Sequence, residues 1–526
     1  MRKVVRENAF CALVAGAASF AMGWLGLSGF LWSDYETEAE PAFDALTHGH
    51  VLEFLRLAPA YGGSLVERAP FALVPELWGG GHLAVYRMVA VPCLLAGAAF
   101  GVWLCAHMRA AGAPALWRAL AVGVCVVNPM TLQALEMGHP EELLGACMCV
   151  AAVLLALRGR ALLAGILLGL AIANKEWALL AAGPVLLALP SSDPGADHDR
   201  GRTNSGDSRA RASAPHDDTP FGTARAHANP RSKSPAHANP SSESARPGPA
   251  RRGARASAAR ENAHSRLVCL AGACATSALV LAPLALAGRA FATAVSKTAV
   301  VSTTASSQIF QPWQLWWFLG RHAGLVRQEG TPLPGYRTGP AWTGALSHPL
   351  ILAAGLTAAA TLWLVRRRGT GSNETGASGV TASDALLLLA LVLLGRCVLD
   401  TWDTGYYMLP FSIALLSWET IARRRAPILT LAVVIAPWLA LARLSHHLSP
   451  DGQAALFLAW TLPLAGALTL RLYAPGLADG LLRLAHRRTP AAGLPLTSGS
   501  PAQALISGSA AQETTVSSVG SPVSVS

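Results

Sequence analysis

Charged residues are scarce in this chain: they make up only 13% of its 526 residues, whereas 52% are hydrophobic. A soluble domain rarely combines so little charge with repeated uncharged runs of membrane-spanning length. The formal net charge of +11 does not indicate nucleic-acid binding, because much of the basic charge lies in short loops, a linker and the tail, where it orients membrane proteins. Composition therefore predicts an all-α polytopic membrane protein with membrane lipids, and no nucleic acid, as partners.

The chain also lacks the usual signs of a cofactor or a disulfide framework. Its nine cysteines lie in or at the ends of apolar runs, which favours small core residues over disulfides or a metal site. No nucleotide-binding glycine loop is present. The first apolar run is too long for a signal peptide and has no convincing cleavage site, so we expect an uncleaved first helix. We expect no metal and no cofactor.

Apolar runs predict twelve transmembrane helices with both termini in the cytoplasm. The predicted spans are 9–32, 83–108, 113–133, 141–157, 160–174, 177–190, 266–288, 346–365, 384–400, 405–422, 427–444 and 454–473. This count places the arginine-rich loops on the cytoplasmic side. One long tilted helix over 160–190 is the alternative, but it would place the arginine triplets 366–368 and 423–425 outside.

Composition further divides the chain into two membrane halves separated by a linker and followed by a tail. The predicted regions are an N-terminal half 1–190 with the outer loop 33–82, a linker 191–265, a C-terminal half 266–473 with the outer loop 289–345, and a tail 474–526. The linker is rich in Ser, Pro, Arg, Ala and His, which predicts disorder. It is either inert or in weak contact with anionic lipid. The tail is also expected to be mostly disordered and cytoplasmic.

The first outer loop carries the most interesting carboxylates. Asp34 and Glu36 follow directly on the first membrane helix, and a carboxylate at that place can accept a proton from a sugar hydroxyl. The same loop contains Arg68. The alternative for Asp34 is a purely structural role, in which it caps an interfacial helix or keeps the loop hydrated.

Two further outer turns contain ionisable residues beside predicted helix ends. His139 and Glu142 precede and begin the fourth span, where Glu141 and Glu142 also suit the positive N-terminal end of a helix. Lys175 and Glu176 interrupt the next apolar run. The Lys175 ammonium could hold a lipid phosphate, or its side chain could simply reach from a helix end to the interface.

Another group of polar residues stands where the ninth span turns into the tenth. Arg396 lies one helical turn before Asp400, so the two could form a structural ion pair. Together with Asp403, they could instead bind an anionic head group and sugar hydroxyls. In the second long loop, Gln311 and Trp313 suit sugar binding, although an aromatic belt at the membrane interface also explains tryptophans there.

Short motifs spread along the chain resemble the membrane-embedded GT-C glycosyltransferases, and within them family 87, the polyprenol-phosphate-sugar-dependent mannosyltransferase-like proteins. The motifs are Asp34-Tyr35-Glu36, Asn128-Pro129, Arg158-Gly159-Arg160 followed by Ala164-Gly165-Ile166-Leu167-Leu168-Gly169, Asn174-Lys175-Glu176, and Tyr406-Tyr407-Met408-Leu409-Pro410. The resemblance implies a GT-C-like bundle of membrane helices with long outer loops and an active site at the outer surface of the cell membrane. The long linker departs from the family pattern.

The resemblance also implies roles for individual residues. Asp34 would be the catalytic base, with Glu36 as the second candidate. Lys175 and Arg396 would hold the donor phosphate, and Tyr406 would belong to the binding site. The reaction would move a hexose, with mannose favoured, from a polyprenyl-phosphate donor to a lipid or glycan acceptor. A transporter or lipid flippase is the alternative, although the halves show no internal similarity, and a non-catalytic scaffold on the same fold is a third hypothesis.

Overall fold

The computed structural model describes residues 2–27, 34–59, 61–190, 249–287, 311–322, 326–328, 331–368, 380–401, 404–444 and 447–480. The chain divides into a large unit, Met1–Pro475, and a small C-terminal unit, Gly476–Ser526. Of the small unit only residues 476–480 are described, and they are helical. The remainder of the predicted tail lies outside the described residues. All that follows concerns the large unit.

Helices form almost all of the described part of this unit. They are α1 (Arg2–Leu27), α2 (Glu40–Thr47), α3 (Val51–Leu57), α4 (Gly62–Ala72), α5 (His82–Ala110), α6 (Ala115–Val126), α7 (Pro129–Glu136), α8 (Glu141–Leu157), α9 (Ala161–Asn174), α10 (Ala182–Ala188), α11 (Pro249–Leu286), α12 (Ala341–Arg368), α13 (Ala382–Leu399), α14 (Met408–Ser417), α15 (Ile428–Pro437) and α16 (Pro450–Tyr473). Wider, π-helical turns precede α2 at Tyr35–Ala39 and follow α14 and α15 at Trp418–Ala422 and Trp438–Arg443. Tighter, 3₁₀ turns occur at Pro75–Trp78, Glu176–Ala181, Trp317–Leu319 and Gly405–Tyr407.

Six helical stretches within the described residues are long and apolar enough to cross a membrane: His82–Ala110, Ala115–Glu136, Arg260–Leu286, Trp342–Arg368, Ala382–Leu399 and Pro450–Tyr473. The predicted class, a helical membrane protein, agrees with this finding. Four shorter apolar helical segments coincide with predicted spans, namely Ala9–Trp24, Ala161–Asn174, Glu176–Ala188 and Ile428–Ala440. Their length does not establish a crossing, so twelve spans remain a prediction.

The sequence left two alternatives for the segment 160–190, two short passes or one long tilted helix. In the structure this segment reverses direction instead of forming one long helix. Helix α9 ends at Asn174, and Lys175 has an extended backbone with φ −152° and ψ 133°. The following helical turns bring the chain back, because Pro190 lies within van der Waals distance of the position that a side chain at Gly159 would occupy. Both ends of the segment are therefore at the same end of the bundle, as two short passes require.

Small residues allow α9 and α11 to pack closely. A Cβ atom added at Gly165 would lie 2.2 Å from the carbonyl oxygen of Cys269, and one added at Gly169 would lie 2.5 Å from that of Ala273. Ser277 also donates a hydrogen bond to the Gly169 carbonyl, 2.9 Å away. Contacts between small residues at a spacing of four are a common way for membrane helices to associate.

Two predictions about connecting segments were wrong in part. The linker was expected to be disordered to residue 265, but α11 begins at Pro249, so 249–265 is helical; residues 191–248 lie outside the described part. The second long loop contains strands, which an all-α fold does not include. Strand β1 (Arg321–His322) pairs antiparallel with β4 (Arg337–Thr338), with Arg321 opposite Thr338, and β2 (Val326–Gln328) pairs antiparallel with β3 (Thr331–Leu333), with Val326 opposite Leu333.

The strand region is attached to the last helix by a carboxylate. Both oxygens of Asp451, in the first turn of α16, accept hydrogen bonds from the Arg337 guanidinium at 2.8 Å. The Trp317 indole donates a third hydrogen bond to Asp451 at 2.7 Å. These hydrogen bonds attach β4, and through its pairing β1, to the start of α16.

Candidate functional site

Asp34 and the turn before α8 lie on one side of a cluster of ionisable residues. Asp34 begins the helical turn that runs into Tyr35–Ala39, and its side chain makes no capping hydrogen bond there. Its carboxylate oxygen Oδ2 instead lies 3.3 Å from Nε2 of His139. Between them, Gly138 has φ +88°, and an added Cβ would come within 2.6 Å of the Tyr35 nitrogen. Only glycine combines this backbone conformation with so close an approach.

The centre of the cluster is Glu141, the first residue of α8, which is fully buried. Its Oε1 atom lies 2.9 Å from Nδ1 of His139 and 3.1 Å from Nζ of Lys175. Its Oε2 atom lies 3.1 Å from Nη2 of Arg68, a charge contact whose angle does not make a hydrogen bond. Three basic groups from three different segments therefore meet one carboxylate.

Glu142 and Arg396 extend the cluster on its other side. Glu142 lies 3.9 Å from Lys175 Nζ and 3.7 Å from Arg396 Nη1, and both distances exceed a hydrogen bond. Among the described residues, Arg396 Nη1 and Glu142 Oε2 are buried without hydrogen-bond partners. The Arg396 guanidinium is flanked by the rings of Tyr407 and Trp177, at 4.3 and 5.2 Å. This cation is thus oriented by aromatic faces and still has a free donor.

Hydrogen bonds close to the cluster fix the Arg68 side chain and the backbone segment that carries Lys175. Arg68 donates hydrogen bonds from Nε and Nη2 to the backbone and the hydroxyl of Ser64, one turn earlier in α4, both at 3.1 Å. The Asn174 side chain donates to the Glu141 carbonyl at 3.0 Å, so the end of α9 is attached to the start of α8. Lys175 follows directly, and its Nζ atom lies 4.0 Å from the centre of the Tyr61 ring.

Burial and charge compete in setting the protonation of these groups. Burial lowers the pKa of Lys175, but the carboxylates of Glu141 and Glu142 raise it further, so the net pKa is above the ordinary value. Lys175 is therefore cationic at neutral pH. For His139, burial and the Lys175 charge lower the pKa, but hydrogen bonds to Asp34 and Glu141 outweigh them and the net shift is upward.

The structure brings six of the predicted site residues into this cluster: Asp34, Arg68, His139, Glu142, Lys175 and Arg396. Tyr406 also belongs to it, because its ring lies 5.3 Å from that of His139. Two predicted residues, Glu36 and Glu176, are exposed. The side chain of Glu36 does not share the buried surroundings of Asp34, which makes it the weaker candidate for a base.

The ion contacts of Arg396 and Asp400 differ from the Arg396–Asp400 pair that the sequence suggested. Arg396 forms its ion contact with Glu142 from α8, and Asp400 Oδ1 lies 3.8 Å from His348 Nε2 in α12. Asp403 lies outside the described residues.

Gln311 and Trp313 belong to the segment that packs against the end of α13. Gln314 donates to the carbonyls of Gln311 and Thr401, both at 2.7 Å. Trp313 is half-buried against the main core. These contacts place the segment beside Asp400.

Two residues of the cluster were not predicted as site residues. Glu141 was considered only as a residue that suits the N-terminal end of a helix, and Tyr61 was not singled out. A pair of adjacent acids at a helix start was the available signal for Glu141, because one carboxylate is enough to complement the positive end of a helix. Nothing in the sequence near Tyr61 signals its position under Lys175, which depends on how α4 packs.

Comparison with known proteins gave no further assignment: no family model matches the chain, and neither a curated protein nor a solved structure is significantly similar to it. The class that the fold defines is a helical membrane protein with a buried cluster of charges at one end of its helices.

Proposed function

We propose that this chain is an integral membrane glycosyltransferase of the GT-C type. In this proposal it moves a hexose, with mannose favoured, from a polyprenyl-phosphate donor to a hydroxyl of a lipid or glycan acceptor, and Asp34 is the base. The observation that carries the proposal is the contrast between Asp34, whose side chain is 35% exposed, and the buried basic residues of the cluster, of which His139 contacts it directly. A half-exposed carboxylate can meet a substrate hydroxyl, while its position is fixed from the buried side.

The proposed step requires one proton transfer and one substitution at carbon. Asp34 takes the proton of the acceptor hydroxyl as the acceptor oxygen bonds to the anomeric carbon of the sugar. The bond between that carbon and the donor phosphate oxygen breaks, and polyprenyl phosphate leaves with the electron pair. The phosphate gains negative charge in this step, which fixed cations such as Lys175 and Arg396 can stabilise.

Arg396 is the best candidate for direct contact with the phosphate. Its guanidinium is planar, which suits binding two phosphate oxygens at once. Nη1 is buried and lacks a hydrogen-bond partner among the described residues, so in this proposal the site opens to admit the phosphate, which then binds Nη1 without breaking an existing hydrogen bond. Lys175 already contacts Glu141 at 3.1 Å, so it would act chiefly through its charge.

The direct test is donor consumption by the purified protein in lipid nanodiscs. Polyprenyl-phosphate-linked mannose with a labelled sugar is supplied with a membrane lipid extract as the acceptor source, and release of polyprenyl phosphate is measured. We expect Asp34→Asn to lower the rate by about 10²–10⁴-fold, the usual contribution of a general base. Asp44→Asn, the same substitution at a position of the same loop where the side chain is 45% exposed, is the matched control and should retain activity.

Three outcomes would contradict the proposal in different ways. If Asp34→Asn reacts at the wild-type rate, Asp34 is not the base. If Glu36→Gln loses as much activity as Asp34→Asn is expected to lose, the role moves to Glu36. If the wild-type protein leaves the sugar–phosphate bond intact but moves the lipid across the bilayer, the alternative, a transporter or flippase, is favoured.

The proposal also places the cluster on the extracytoplasmic side of the cell membrane. The opposite end of the helices is basic: Arg158 and Arg424 lie close enough to His107 for their charges to act on it, as the positive-inside rule expects for a cytoplasmic end. Reporter fusions should place 33–82, 289–345 and 445–453 outside and 191–265 inside. Finding 191–265 and 289–345 on the same side of the membrane would contradict this topology.

A further inference from the structure

Both ring nitrogens of His139 face carboxylates. Nε2 lies 3.3 Å from Asp34 Oδ2, and Nδ1 lies 2.9 Å from Glu141 Oε1. A neutral imidazole has only one N–H, so one of its nitrogens would direct a lone pair at an ionised carboxylate. Only the imidazolium, with an N–H on each nitrogen, can donate to both acids.

We propose that His139 is a positioning residue for the base: it is held as an imidazolium between Glu141 and Asp34, and it fixes the Asp34 carboxylate for proton abstraction. This inference rests on the proposed role of Asp34. His139 itself does not exchange a proton with the substrate in this scheme. Asp34 receives the proton of the acceptor hydroxyl and later releases it to water through its exposed side.

The surroundings of His139 restrict the ring as well as its charge. The Tyr61 ring meets it edge-on with centroids 5.4 Å apart, and the Tyr406 ring lies 5.3 Å away. The titratable and charged groups around the imidazole are Asp34, Glu141, Tyr61, Tyr406 and Lys175, with Arg68 and Glu142 one contact further away. Both tyrosines are neutral hydroxyls at neutral pH, so the two carboxylates and Lys175 decide the charge of the ring.

The protonation state of His139 sets the net charge of the seven ionisable residues of the cluster; Glu176 and Glu38 also act on residues there and are not counted. Asp34, Glu141 and Glu142 carry three negative charges, and Arg68, Lys175 and Arg396 carry three positive charges. With a neutral His139 the cluster has no net charge, whereas with the imidazolium it carries one positive charge. A sugar linked to polyprenyl phosphate is a phosphodiester with one negative charge, so the protonated cluster matches it.

The match persists through the reaction. When Asp34 becomes protonated, the cluster gains a second positive charge. The polyprenyl phosphate released is a monoester with close to two negative charges at neutral pH. Donor and product are therefore both neutralised if His139 keeps both protons throughout.

The first readout is the dependence of the transfer rate on pH. His139→Gln provides at most one donor to the carboxylates and does not titrate. We expect its kcat to be about 10–100-fold lower, the usual effect of losing an orienting partner, and its donor KM to rise as well, because the cluster loses the positive charge that matches the donor phosphodiester. The wild-type rate should fall as pH rises through the pKa of His139, and this alkaline decrease should be absent in the variant.

The second readout does not depend on activity. Because the pKa of His139 is raised on folding from the ordinary value of 6.5, its stabilisation is complete below about pH 6.5. It is lost as pH rises through the higher pKa of the folded state. Thermal unfolding of the wild type should therefore show a decrease in Tm above pH 6.5. His139→Gln should show a clearly smaller decrease, with the remainder coming from groups such as His48, whose pKa Asp44 also raises. His82→Gln, at an exposed histidine that also pairs with a carboxylate, should retain the full decrease.

A further variant covers the case in which His139→Gln does not fold. Asp34→Asn removes one of the two carboxylates at a half-exposed position, so it should shift the decrease in Tm to lower pH. The inference is wrong if the decrease is unchanged in Asp34→Asn, or if wild type and His139→Gln have the same pH–rate profile. If the wild type transfers no sugar but the Tm step depends on His139 and Asp34 as described, the proposed function fails while the imidazolium bridge stands.

Discussion

Replacing Glu141 by glutamine tests whether the buried cluster depends on one central charge. The substitution keeps the volume of the side chain and removes only its charge. Glu141 is fully buried and lies within 3.1 Å of Arg68, Lys175 and His139. The variant therefore leaves two permanent cations and an imidazolium with less compensation in a region from which water is excluded.

The expected loss of stability can be set against a neighbouring control. Removing one partner of a buried ion pair typically destabilises by about 3–5 kcal/mol, because the remaining charge stays buried. Glu142 is also buried and follows Glu141 in the same turn of α8, but its ion contacts, at 3.7 and 3.9 Å, are beyond hydrogen-bond distance. For Glu142→Gln we expect about 1–3 kcal/mol, the cost of an unsatisfied buried polar group.

The measurement is reversible unfolding in mixed micelles, followed by tryptophan fluorescence. The chain has 15 tryptophans, and Trp177 flanks the cluster, so unfolding should change the signal. Wild type, Glu141→Gln and Glu142→Gln are compared at one pH below 6.5, where His139 is protonated. The reasoning is refuted if Glu142→Gln costs as much as Glu141→Gln, or if Glu141→Gln costs less than about 1 kcal/mol, the range of ordinary surface changes.

Three further changes test single features. Gly138→Ala should lower both Tm and the transfer rate, because a positive φ costs about 1–2 kcal/mol outside glycine and the added Cβ collides with Tyr35. The control is Gly112→Ala, where φ is +78° but the space around the added Cβ is open. It should lower Tm without a specific loss of transfer. Arg396→Lys should raise the donor KM, since it keeps the charge but loses the planar guanidinium, and an unchanged KM would argue against phosphate contact by Arg396. Deleting 200–248 should leave the amount of folded protein and its Tm unchanged, because the segment has too few large apolar residues to build a core, and a loss of folded protein would contradict this.

The sequence predicted the class of the fold, because long apolar runs have few alternatives to a helix in a membrane; six of the twelve predicted spans coincide with described helical stretches long enough to cross one. It also predicted that Asp34, His139, Lys175 and Arg396 would lie together. The reason is geometric: each of them was placed at the outer end of a predicted span, and the outer ends of spans in one bundle are close to one another. The reversal at Lys175 followed from the same reasoning, because a single helix would have placed the arginine triplets outside.

The partners within the cluster could not be predicted in this way. Arg396 and Asp400 satisfy the local rule for an ion pair, yet Arg396 contacts Glu142, which is 254 positions away in the chain. Local rules rank only neighbours in sequence, and the choice between them and a distant carboxylate depends on packing. The start of α11 at Pro249 has a similar cause, because the polar but alanine- and arginine-rich residues after it favour a helix once the apolar part has nucleated one.

The unfavourable free energy of burying these charged side chains is evidence that the cluster has a function beyond stability. Capping α8 would need Glu141 or Glu142 at a solvated helix end, where a carboxylate stabilises by roughly 0.3–1 kcal/mol. Both are buried instead, with cations supplied by α4, by the turn at Lys175 and by α13. Buried ion pairs seldom stabilise a fold more than apolar residues of the same size would, and ionisable residues in membrane proteins are mostly functional. An expensive cluster that reaches the surface through Asp34 is the arrangement that charge-stabilised chemistry on a lipid phosphate would require.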